Sequence, residues 1–478
     1  MADHAPPLAP HAAPGPASPE EASRLAFERS KTFLATMPDP GVVLLRRVTI
    51  ALVIALFFVL IPAMNLAGVV PDYKLNLLGK YLCFAVAAIG VDLIWGYTGL
   101  LSLCQALFFC LGGYCMAMHL SLKQGGGDVR PEYNNIPQFM FFNSVRELPW
   151  FWKPMESMTV AIACGFLLPA IVASIFGFFI FRSRVRGVYF SIITQAIAWG
   201  AWLLISRNEM LLGGTNGLTN FYKPMMESRP WIIALYLTTL IVLVGVYLIC
   251  QAITKSRLGR VLVAIRDRET RLYFAGYQPY AFKVFAFAVG AMIAALGGML
   301  YSPQVGIITP QNMSVPTSIL MVIWVALGGR GKLWGAIYGA LLVNITLSSL
   351  SSDLPSLWLF VQGGMFLAVV LYFPDGFAGM WDDLEQIVRR RAGWLPAIAT
   401  ATPLVVLALF ILGEALGLTP ALLRKSVWQS DAVGDVQLKY VLLVALLFVV
   451  AVYHWMAKMK ATASAARSTA ALQGAGTT

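Results

Sequence analysis

The sequence is short of charge. Asp, Glu, Lys and Arg together make up 12 % of its 478 residues, about half the share of a soluble globular chain. So little charge excludes a wholly water-facing surface. Histidine is scarce as well: His4, His11, His119 and His454 are dispersed. The cysteines, Cys83, Cys104, Cys110, Cys115, Cys164 and Cys250, fall in or beside apolar runs. Neither zinc spacing nor a disulfide framework is present, so no metal site is expected. The glycines at 213, 214 and 217 are not followed by the lysine that a phosphate-binding loop requires. Without that loop or a soluble nucleotide-binding domain, the chain is expected to bind no cofactor and not to be an enzyme. Residues 1–40, rich in Ala and Pro, have no apolar core before a small-residue cleavage site. They are expected to be a disordered or partly helical tail, not a secretion signal.

What the chain has in quantity is hydrophobic residues, 58 % of the total. Apolar stretches of about 18 residues or more recur along its length, which predicts an all-α polytopic membrane protein. The spans fall at about 48–67, 76–95, 159–181, 187–206, 231–250, 283–302, 356–373, 397–416 and 437–456. A glycine-broken run lies between the second and third of these, and two short apolar segments lie within 319–342. The total is about 10–12 membrane segments. We expect a tail over 1–45, a transmembrane core over 46–380, an amphipathic helix with two extra spans over 381–457, and a disordered tail over 458–478. The net charge of +12 fits loops facing anionic lipid better than nucleic acid.

Glycine breaks the apolar pattern at particular places. WGYTGLLSLCQALFFCLGGYCMAMHL contains Gly96, Gly99, Gly112 and Gly113, with Thr98, Ser102 and Gln105. Gly297 and Gly298 lie in a later span, and Gly328 and Gly329 open a tight basic turn. Small residues permit close helix packing, and broken helices also line solute paths. An amide such as Gln105 is costly against lipid. Gly213, Gly214, Thr215, Asn216 and Gly217 predict a turn with exposed backbone, either an ordinary turn or a mouth that meets solute. Thr98, Ser102, Gln105, Thr215 and Asn216 are the path candidates. All are neutral, which suits a small neutral or zwitterionic solute.

Between two spans lies a basic island, Gln251 to Lys283, holding Lys255, Arg257, Arg260, Arg266, Arg268, Arg271 and Lys283 against Asp267 and Glu269. It is expected to be a cytoplasmic loop with a short helix inside. With both termini inside, RSRVR at 182–186, the island, Arg330 with Lys332, the arginines at 389–391 and Lys458 with Lys460 all fall on the cytoplasmic side.

WGYTGLLSL (95–103), FRSRVRGVYFSIITQA (181–196), LGGTNGLT (212–219), SRLGRVLVAIRDRE (256–269), GGRGKLWGAIYGALL (328–342) and FPDGF (373–377) together resemble the membrane subunits of branched-chain amino acid-type ATP-binding-cassette importers. RELPWFW (146–152) is similar to an insertion of the urea-type members. The resemblance implies a permease subunit in the bacterial inner membrane that moves urea or a related small amide by alternating access. It implies a sister permease in a heterodimer, two cytoplasmic ATPases carrying ATP and magnesium, and a periplasmic solute-binding protein. It also implies that Glu269, with Gly276 seven positions later, seats in the ATPase cleft, flanked by Arg266 and Asp267. Cys104 and Gln105 stand where many members have a Gly-His pair. A branched-chain amino acid permease, and a standalone small-amide channel or secondary carrier, are the alternatives. A membrane scaffold would explain neither the broken segments nor their polar residues.

Overall fold

The computed structural model describes residues 55–124, 136–219 apart from 143, 144, 146 and 186, 228–353, and two short pieces, 363–364 and 376–379. The expected tails, the spans at 397–416 and 437–456, the amphipathic helix at 381–394, and all of the 356–373 span but 363–364 lie outside these residues. Helices account for almost all regular structure. Apolar segments in lipid must satisfy their backbone groups internally.

In chain order the helices are α1 (Leu56–Leu66), α2 (Asp72–Thr98), α3 (Gln105–Gln124), α4 (Met158–Arg182) and α5 (Val188–Ile205). They continue with α6 (Arg229–Lys255), α7 (Arg257–Phe274), α8 (Pro279–Val305), α9 (Val315–Gly328) and α10 (Leu333–Asp353). Six of them, α2 to α6 and α8, are long and apolar enough to cross a membrane. At 27 residues, α2 reaches about 40 Å, beyond the roughly 30 Å hydrocarbon core.

The two short apolar segments, whose length leaves open whether each crosses or is re-entrant, form a bent pair. The chain turns by 118° between α9 and α10. Alone, the 14 residues of α9 span only about 21 Å. The turn is tight because glycines let the two backbones touch. A Cβ on Gly328 would lie 1.9 Å from the Gly335 carbonyl oxygen, and one on Gly339 would lie 2.0 Å from that of Trp324.

The centre of the bundle is α2, α3 and α8, with α2 and α3 almost wholly enclosed. Their contact is again backbone on backbone. Gly90 of α2 meets Gly290 of α8, and Gly112 of α3 meets Ala295. Around them, Phe84 stacks within 5.0 Å of Trp324 and 5.8 Å of Phe109. By contrast, α4, α5 and α6 sit at the periphery with long exposed apolar faces.

The basic island is shorter than its charge pattern suggests. Helix α6 runs to Lys255 and α8 starts at Pro279, so only 256–278 lies between them. Most of that is α7, capped by the Ser256 hydroxyl accepting from Gly259 N at 3.4 Å. The helix kinks at Arg268, whose backbone is non-helical (φ −152°, ψ 77°).

Candidate functional site

Three places along the bundle gather the polar residues. The first is the break between α2 and α3. Helix α2 ends at Gly99, which takes a left-handed conformation (φ 75°) with its N–H on the Trp95 carbonyl. Residues 99–104 then run non-helically inside the bundle. Backbone buried this way needs partners, and hydroxyls on neighbouring helices supply them. Ser191 Oγ of α5 donates to Leu101 O at 2.8 Å, and Leu103 N donates to Thr194 Oγ1 at 3.1 Å. Ala106 N, in the first turn of α3, donates to Ser318 Oγ of α9 at 3.3 Å.

Two of the expected path residues meet here. Gln105 Nε2 donates to Ser102 Oγ at 3.3 Å, and both side chains are buried. Gln105 Oε1 is buried with no hydrogen-bond partner among the described residues. It stands at the N-terminus of α3, the positive end of that helix. The arrangement offers neutral donors and an open acceptor in the bundle interior, with no fixed charge.

The other three path candidates lie elsewhere. The Thr98 hydroxyl donates to Ile94 O of its own helix at 2.6 Å, so it is spent locally. Thr215 and Asn216 are exposed on a 3₁₀ turn at the far end of the bundle. Beside that turn, Leu218 and Ile308 exchange two backbone hydrogen bonds of 2.9 Å. Gly217 is seated so closely that a Cβ would lie 2.1 Å from Ile308 O. Sequence reasoning missed Ser191, Thr194 and Ser318. Their signal was present as hydroxyls three residues apart in SIITQA and in the first turn of α9.

The third place is a junction at the basic end. The turn between α9 and α10 docks on α2, where Gly331 N donates to Asp92 Oδ1 at 2.7 Å. Gly96 leaves room for this, since a Cβ there would lie 2.5 Å from Gly331 N. The Arg330 guanidinium sits 5.5 Å from the centre of the Trp95 ring. Into the same corner comes Arg266 of α7. Its Nη1 donates to Gly96 O at 2.8 Å, while its Nε pairs with Asp267 at 3.0 Å. The Arg266 stem also lies over Gly99, 3.1 Å from where a Cβ would be. One side chain on α7 therefore touches the end of α2 beside both broken segments.

Glu269 faces inward too. Lys283 Nζ of α8 reaches its Oε1 at 2.7 Å, and the two side chains are 6 % (Lys283) and 16 % (Glu269) exposed. Burial of such a pair requires this close geometry. Asp267 and Gly276 lie on the outer side, with Arg257, Arg260, Arg268, Arg271 and Phe274. Phe274 is 92 % exposed. Arg184 of the α4–α5 turn stacks 5.6 Å from the Tyr273 ring, which brings RSRVR to the same end.

Residues 73–370 match the family described as the permease component of branched-chain amino acid transport systems. The high-affinity branched-chain amino acid transport system permease protein LivM of Escherichia coli K12 is 24 % identical over 324 residues, 63 % of this chain and 68 % of that protein. A protein of Methanocaldococcus jannaschii named as a probable branched-chain amino acid transport permease is 28 % identical over 45 % of this chain and 69 % of its own length. The autoinducer 2 import system permease protein LsrC of Yersinia enterocolitica is 28 % identical over 45 % of this chain and 61 % of its own. No solved structure matches the chain.

Proposed function

We propose that this chain, which belongs to the permease family of branched-chain amino acid transport systems, is a multi-pass permease subunit importing a branched-chain amino acid or a related small polar solute. The observation that carries the reading is the joining of a neutral, hydrogen-bonding break to a basic-end helix through Arg266. A solute that is neutral overall needs donors and acceptors on its path, not a fixed charge. The names of the Escherichia coli and Methanocaldococcus jannaschii relatives support an amino acid. Urea was expected from residues 146–152 alone, and no relative named above carries it. The name of the Yersinia relative extends similarity of this order to another small polar molecule.

The basic end is the cytoplasmic end in this reading, by the concentration of Lys and Arg. The partners are a sister permease, two ATPases that hold ATP and magnesium, and a solute-binding protein on the far side. The outer face of α7, with Asp267, Arg271 and Phe274, meets an ATPase. Arg266 and Glu269 pass the movement inward, so Glu269 acts as an internal tie to Lys283 and not as the contact itself. Alternating access then consists of α7 displacing the α2 end and the α9–α10 turn together.

Purification and uptake test this directly. The chain is expected to co-purify with ATPase subunits, and the reconstituted importer is expected to take up labelled leucine. Solute flux through the chain alone would overturn the importer reading. Urea competing better than leucine would overturn the substrate.

A further inference from the structure

Among the described membrane-crossing helices, α5 is the least buried. Its exposed residues are apolar, as lipid contact requires, with one exception. Gln195 is exposed and forms no hydrogen bond with another described residue. At about 1.5 Å per residue, it lies roughly 10 Å from Val188 and 15 Å from Ile205, near the middle of the span. Its short side chain reaches neither end, so it cannot snorkel to water as a lysine would. A primary amide held against hydrocarbon is costly. The strip of α5 that carries Gln195 is therefore ill suited to lipid.

The neighbours of Gln195 say what it meets. One turn away on the same side is Ser191, which bonds Leu101 O in the break. One turn the other way is Trp199, 50 % exposed, with its ring 4.8 Å from that of Trp202. Along α5 there is thus a strip made of a hydroxyl tied to the break, an unpaired amide and an aromatic surface. An amide both donates and accepts, so it can bond the ammonium or the carboxylate of a zwitterion. The indole face beside it suits an aliphatic side chain. Gln105, in contrast, is sealed inside the bundle.

We propose that Gln195, with Trp199, is a solute contact that sets specificity, on a path running along the uncovered face of α5. The proposal rests on the transport reading above and deepens it to a small molecule with a polar head and an apolar side chain. The path is then completed by whatever covers this face in the assembled importer.

The test uses the complete importer in lipid vesicles. Gln195→Leu is expected to slow leucine uptake about tenfold, the effect of one lost hydrogen bond, while Ile241→Ala, at an exposed apolar position of α6, leaves it unchanged. Uptake by Gln195→Leu at the wild-type rate overturns the proposal. Gln195→Cys, probed with a charged thiol reagent, separates contact from a merely structural role. It is expected to be labelled, and more slowly in saturating leucine. No labelling, or labelling that no transported solute slows, overturns the proposal even where Gln195→Leu fails to assemble. If the wild-type importer moves urea and not leucine, the substrate reading fails, and urea becomes the protecting solute for the same measurement.

Discussion

Gly298→Ala is the sharpest test of how the bundle is held together. The added Cβ would lie 1.7 Å from Phe109 O, 2.7 Å from its carbonyl carbon and 3.1 Å from Gly113 N. All three are backbone atoms of α3, so no side chain can swing aside. Non-bonded carbon contacts settle near about 3.5 Å, so α3 and α8 would have to part by roughly 1.5–2 Å. That movement would break the 2.8 Å hydrogen bond from Ser302 Oγ to Gly113 O. It would also open the seam where Gly112 lies on Ala295. Between helices in lipid, close packing is the main attraction, because the surroundings are equally apolar. Overpacking at such a contact costs about 3 kcal/mol, the upper part of the usual range. Gly245→Ala is the control, because nothing lies within 4 Å of that position. There, alanine gains up to about 1 kcal/mol of helix propensity. Thermal unfolding in detergent reads the difference through the reactivity of buried cysteines such as Cys83, Cys110 and Cys250. Gly298→Ala should melt lower by on the order of 5 °C, and Gly245→Ala should not. Equal midpoints for the two variants would refute the helix contact described here.

Two further expectations follow from the basic end. Arg266→Ala removes the charge-assisted bond to Gly96 O, worth about 1.5 kcal/mol at this half-exposed site. The importer should still assemble and hydrolyse ATP but lose most leucine uptake, and uptake in proportion to hydrolysis would count against the link. Lys283→Met leaves Glu269 buried without its ammonium and should destabilise the chain by about 3–5 kcal/mol. Adding Glu269→Leu should restore most of the melting temperature, and a double variant no more stable than the single one would show that the pair is not the reason.

Much of the candidate site was legible in residue types and little of it in positions. Ser102 and Gln105 stood out as polar residues in an apolar run, and they do lie together in the break. Thr98 had the same signal but spends its hydroxyl on its own helix. Glu269 was drawn from a seven-residue spacing to a glycine, which carries no information about Lys283 on the next helix. The same limit hid Thr194 and Ser318, whose partners lie 91 and 212 residues away in the chain.

The sequence alone determined that the chain lies in a membrane, because apolar runs of that length have no other stable home. It also determined that charged residues are nearly absent from the span centres, and that glycines occur where helices come close or break. Only the tertiary structure decided which surfaces meet. A helix apolar on all sides shows no periodic stripe, and lipid and a neighbouring helix ask for the same residues. Sequence therefore could not tell that Gly298 faces Phe109 O, that α9 and α10 fold back at 118°, or that Arg266 reaches across 170 residues to Gly96. Nor could it tell that, among the amides in apolar runs, Gln105 is sealed inside and Gln195 is turned outward.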